Sequence, residues 1–158
     1  MSGSGTQRDT QERTEVARGG PLNNVTGLDD LLLGVENQLE FWRQIMHFIG
    51  LARGKKFEAA DEDQFLELKG KIVQELESIL ASDECNSPPK DDVHQMMNSI
   101  PSLRHLSQLT DGALAHVEHE WHQIYITWHA TLGQLKARHK ALDSLHQKSG
   151  FLRRWRPR

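Results

Sequence analysis

The chain reads as all-α: an antiparallel four-helix bundle with a kinked third helix, a long C-terminal helix and a disordered N-terminal arm. Three features predict this class. Apolar residues recur at steps of three and four over long stretches, the period of one helix face. No stretch combines strand-like alternation with turn signals. The breaks between apolar stretches are short and rich in Gly, Pro, Ser and Asp, and short connections favour antiparallel neighbours.

Residues 1–25 are polar and rich in Gly, Ser and Thr, with balanced charge. They hold too little apolar surface to offset the entropy of ordering, so a disordered arm is expected. The first helix is predicted from Leu28 to Arg53, with Thr26 as its N-cap and Asp29 and Asp30 near the positive helix end. Leu28, Leu32, Val35, Leu39, Trp42, Met46 and Ile49 form its stripe, and Leu31, Ile45 and Phe48 widen it. Gly54 is expected to end it. The second helix is predicted from Asp61 to Ala81, capped by Asp61. Its stripe is Phe65, Leu68, Ile72, Leu76 and Ile79, widened by Leu66, Val73 and Leu80.

The segment SDECNSPP stops the second helix, and a third begins near Pro88 with Ser87 as cap. Val93, Met96, Met97 and Ile100 face inward. Pro101 lacks an amide hydrogen and disfavours helix at Ile100, which predicts a kink or two short helices, about 90–99 and 101–109. Leu103, Leu106 and Leu109 continue the face. The fourth helix is predicted from Asp111 to Gln147, capped by Thr110 or Asp111 and followed by Gly150. Leu114, Val117, Trp121, Ile124, Trp128, Leu135, Leu142 and Leu145 fit a coiled-coil heptad seam, with Thr131 and Arg138 in its polar gaps. At roughly 55 Å this helix is expected to outrun its neighbours. Its C-terminal apolar residues, Leu135, Leu142 and Leu145, then need cover, from another chain or from a partner. The expected organisation is an arm, 1–25, a bundle domain, 26–148, and a basic aromatic tail, 149–158.

The formal net charge of −3 over 158 residues gives no global pull toward nucleic acid. The charge is uneven, however. Residues 58–92 are strongly acidic, whereas 149–158 hold four arginines and no acid. The single cysteine, Cys85, rules out an intrachain disulfide, and its acidic neighbours disfavour a reactive thiolate. No apolar run approaches a membrane span, and no secretory leader is evident, so a cytoplasmic protein is expected.

The stretch AHVEHEWHQIYITWHA, residues 115–130, carries the sharpest chemical signal. With His116 set at zero and about 100° per residue, the apolar stripe centres near 120° and His119 falls at about 300°. His122 and His129 lie at roughly 240° and 220°, on one shoulder with Glu118. The triplet of histidines therefore sweeps round the helix instead of converging on one ion. His116 with Glu120 and Glu118 with His122 are half-sites only, and no E-x-x-H pair occurs. Exposed or subunit-facing histidines are expected, with no resident cofactor. The metal-binding alternative would use Glu118, His122 and His129. His139 and His146 lie on the stripe, where a buried ring or a pH-sensitive contact is expected. No phosphate loop, nucleophile elbow or H-E-x-x-H motif occurs, so neither an enzyme nor a small-molecule substrate is expected.

The tail alternates Phe151, Leu152 and Trp155 with Arg153, Arg154, Arg156 and Arg158. Such a segment suits docking into a pocket with an acidic rim. It also suits contact with an anionic membrane surface or with nucleic acid, or return onto the acidic second helix. The function expected from these residues is non-enzymatic protein–protein interaction, as homo-oligomer, adaptor or scaffold. Leu135, Leu142 and Leu145 of the last helix, with Phe151, Leu152, Arg153, Arg154, Trp155 and Arg156, are the expected contact residues.

Overall fold

The computed structural model describes residues 21–82, 85 and 87–153, with side chains described from Gly27 to Ser149 within that span. It holds five helices: α1 Pro21–Arg53, α2 Ala59–Leu80, α3 Lys90–Ser99, α4 Leu103–Leu106 and α5 Asp111–Arg153. No strand occurs among the described residues.

Side-chain contacts give the helix directions. Arg53 meets Glu118 at 2.8 Å, and Lys136 meets Glu36 at 2.9 Å. The end of α1 thus lies beside the start of α5, and the two run in opposite senses. Gln38 donates to the Ile72 carbonyl at 2.9 Å, and Phe48 packs edge-on against Phe65, so α2 returns along α1. Lys90 meets Glu77 at 2.7 Å, while Lys69 donates to the Ile100 carbonyl at 2.8 Å, so α3 returns along α2.

Several helix ends differ from the sequence expectation. α1 starts at Pro21, before the expected cap Thr26, and takes in residues assigned to the arm. Residues 1–20 of the expected arm lie outside the described residues. At its other end, the left-handed residue is Lys55, at φ 52°, and not Gly54. The amide of Gly54 still bonds back to Gly50 at 3.0 Å, so the reversal comes one residue later. α2 is capped by Glu58. Asp61 acts from inside the helix, accepting the Glu58 amide at 2.7 Å.

Pro89, not Ser87, is the N-cap of α3, and the Ser87 carbonyl instead accepts the Thr131 hydroxyl at 3.2 Å. The third segment is broken, not kinked. Ile100 leaves helical geometry, and α4 restarts after Ser102, whose hydroxyl accepts the His105 amide at 3.0 Å. Thr110 caps α5 through the Ala113 amide at 3.3 Å. α5 passes through Gly150 without stopping, so its last turn includes residues expected to belong to the tail. One glycine costs a helix only about 1 kcal/mol relative to alanine, which does not by itself end it.

The core runs along the α1–α5 contact and is closed by α2, α3 and α4. Trp42, Trp128, Phe65, Ile72, Leu76 and Ile100 are among its fully buried side chains. Trp121 donates its indole N–H to the Trp42 carbonyl at 2.7 Å. The indole nitrogens of Trp42 and Trp128 and the amide oxygen of Gln38 are buried without a hydrogen-bond partner. Leu66, expected to widen the α2 stripe, is exposed.

Candidate association surface

The histidines of α5 are separate groups. His116 is exposed and faces Glu120 at 3.3 Å. His119, His122 and His129 are also exposed. Tyr125 stacks on Trp121 at 4.7 Å with 16° between the rings, and His129 sits edge-on against Tyr125 at 4.7 Å. Arg43 donates to the Tyr125 hydroxyl at 3.0 Å. Glu118 is engaged by Arg53 across the α1–α5 seam. The three residues of the metal alternative, Glu118, His122 and His129, are therefore not gathered round a common point. Among the described residues, no group of three or more His, Cys, Asp or Glu side chains is placed to hold a metal ion. Cys85 is buried, and burial pushes its thiol above the usual range, which disfavours the nucleophilic thiolate.

The two stripe histidines differ from each other. His139 is partly covered, with Asp29 of α1 at 2.8 Å from one ring nitrogen and Asp143 at 3.2 Å from the other. His146 is exposed, and its Nδ1 lies 2.9 Å from the Leu142 carbonyl. The His139 contact helps fasten the start of α1 to the last third of α5.

That last third is where cover runs short. Ile79, near the end of α2, lies against Gly34, and the Ser87 carbonyl ahead of α3 meets Thr131. α1 before about residue 31 and α5 beyond about 136 therefore flank each other past the ends of α2 and α3 over about 15 Å of described helix, with α5 running on to about 25 Å. The expected uncovered helix end is thus shared with α1, which begins earlier than the sequence suggested. Leu135 is buried in the chain's own core, so it is not a free contact residue. Leu142 is half-buried, and Leu145 is 63% exposed. Phe151, Leu152 and Arg153 continue the helix backbone, but their side chains, like Arg154, Trp155 and Arg156 as a whole, lie outside the described residues.

A second feature of this end was not singled out from the sequence. A groove of about 530 Å³ lies between α1 and α2, with Leu31, Leu33, Gly34 and Ile79 among its apolar lining and Asp30 and Glu75 among its acids. Gly34 brings the helices close, since a Cβ there would stand 3.2 Å from Ile79 Cγ1. Leu33 is 59% exposed. The available signals were a leucine off the α1 stripe and two glycines, Gly27 and Gly34, seven residues apart.

Glu75 has one carboxylate oxygen shielded from solvent with no hydrogen-bond partner. Burial raises its carboxyl above the usual range, and Lys71 opposes this only in part. The folded chain therefore holds that proton to higher pH than the unfolded chain does. The stability tied to the protonated form is full below the unfolded value and is lost as pH rises through the folded one. Glu75→Gln is expected to be more stable than the parent at neutral pH, with the gap closing below about pH 4. Urea midpoints at the two pH values check this, and a parent more stable than the variant at neutral pH contradicts it.

No helix of the described residues is long and apolar enough to cross a membrane. Comparison with protein-family models, with curated proteins and with solved structures finds no match.

Proposed function

We propose that this chain is a non-enzymatic protein, its helices arranged as an antiparallel four-helix bundle, which works by protein–protein interaction as a homo-oligomer or adaptor. The observation that carries this reading is the α1–α5 extension. There a two-helix segment stands past its neighbours, with Leu145 63% exposed, and Leu33 at its base is 59% exposed. Two helices alone bury a stripe poorly, and bundle stability comes from apolar faces covered on several sides. The aromatic and basic tail continues from the same end. Leu142, Leu145 and the tail form the contact region on this reading, and Leu135 supports it from beneath.

The test is sedimentation velocity of the full chain from low to high micromolar concentration, with chemical cross-linking in native lysate. A concentration-dependent rise in mass, or a discrete cross-linked partner lost on Leu145→Asp, is expected. A strict monomer with no partner in either experiment overturns the reading.

A further inference from the structure

We propose that the α1–α2 groove receives the C-terminal segment of a second copy of this chain, residues 145–158, so that two chains exchange their ends. This rests on the protein-interaction reading and names its partner and its site.

The groove and the segment are chemically complementary. The groove offers Leu31, Leu33 and Ile79 as an apolar floor, with Asp30 and Glu75 as acids beside it. Asp30 has no ion pair among the described residues, and one oxygen of Glu75 is buried without a donor. The nearest cation along α2, Lys71, is held by Glu67 at 2.7 Å. A buried carboxylate oxygen without a donor is costly, and a guanidinium supplies several donors in a planar fork. The C-terminal segment brings both kinds of group. Leu145, Phe151, Leu152 and Trp155 are apolar, and four arginines stand among them with no acid after Asp143.

Geometry selects a second copy as the donor. The Lys136–Glu36 and His139–Asp29 pairs set α5 residues 136–139 level with the groove floor at Gly34. α5 then stays helical to Arg153, which carries its end roughly 25 Å beyond that floor. Residues 154–158, fully extended, span at most about 17 Å, and they would also have to pass the width of α1. The chain's own groove floor is therefore beyond the reach of its own tail. Two extensions laid antiparallel bring each tail beside the other chain's groove. A two-fold contact of this kind is satisfied at two chains and leaves no unfilled groove to propagate.

The experiment is sedimentation equilibrium on the full-length chain and three variants: Leu33→Asp in the groove, Glu75→Gln beside it, and the double variant Arg154→Glu with Arg156→Glu in the tail. Circular dichroism verifies that each is folded. The parent is expected to be a dimer, with the dissociation constant raised at least tenfold by Leu33→Asp and by the tail variant. Glu75→Gln should weaken the dimer while stabilising the fold, a pair of effects that a purely structural role would not produce. Mixing the Leu33→Asp chain with the tail variant should give a mixed dimer tighter than either variant with itself, since one intact groove and one intact tail then meet. A dimer unaffected by both the groove and the tail substitutions overturns the exchange while leaving self-association standing. A parent chain that remains monomeric at high micromolar concentration overturns the exchange, and the cross-linking result above then decides the broader reading separately.

Discussion

Trp42→Ala is expected to lower the unfolding free energy by about 3–5 kcal/mol, a large share of what a domain of this size has to lose. Trp42 is fully buried, and it lies on α1 at the level of Trp128 on α5, another fully buried indole in the seam between the two longest helices. Alanine there removes a whole indole from a layer that also includes Trp121, whose N–H is anchored on the Trp42 carbonyl. The cavity cannot close easily, because the neighbouring layers along α1, with Val35, Ile45 and Ile49 fully buried, are already closely packed. Trp42→Phe tests the physical cause. It gives up part of the packing, but it also removes an indole N–H that is buried with no acceptor. Both variants remove that donor, whose burial unpaired costs about 1–3 kcal/mol, so the difference between them reports packing, and phenylalanine, which keeps a ring in the layer, should lose less than half of what alanine loses. Urea unfolding followed by circular dichroism measures both without relying on the fluorescence of the residue removed. Equal losses for the two variants would contradict packing of the ring as the cause.

The faces of the helices were legible because apolar spacing fixes rotation about a helix axis. Val35, Trp42 and Ile49 on α1, Phe65 and Ile72 on α2, and Leu114 through Trp128 on α5 are buried as their spacing requires. The same rotation placed His116, His119, His122 and His129 away from the seam, where they are exposed. Periodicity says nothing about how far one helix slides along another. That axial level is set by cross-helix pairs such as Glu36 with Lys136 and Asp29 with His139, residues about a hundred positions apart. The early start of α1, the cover over Leu135 and the α1–α2 groove all depend on this level, and all three were missed. Glycine signals were weak guides for a related reason. Gly150 lies inside α5, and Lys55 takes the left-handed position beside Gly54, because local propensities of about 1 kcal/mol yield to the surrounding helix.

Glu62→Ala is expected to cost about 2 kcal/mol, more than its position on a partly exposed helix face would suggest. The cause lies forty residues further along the chain. After the break at Ile100, α4 has only four residues, LRHL, too short to be stable as an isolated helix. Its first amides point toward α2, where the two Glu62 oxygens accept the Leu103 and Arg104 amides, each at 3.2 Å. A carboxylate at a helix N-terminus gains from charge-assisted bonds and from the positive end of the helix dipole together. What it holds in place is apolar, since Leu103 and Leu106 are fully buried and close this end of the core. Glu62→Gln keeps one carbonyl acceptor and loses the charge, so its cost should fall between those of the parent and alanine. Ser102→Ala removes the neighbouring cap on His105 and should cost about 1 kcal/mol by itself. Because both groups serve the same short helix, the double variant should depart from additivity, with a coupling of at least about 0.5 kcal/mol. A double-mutant cycle by urea unfolding, with amide hydrogen exchange read at Leu103 and Arg104, measures it. Strict additivity together with unchanged protection at those two amides would show that α4 is held by its leucines alone.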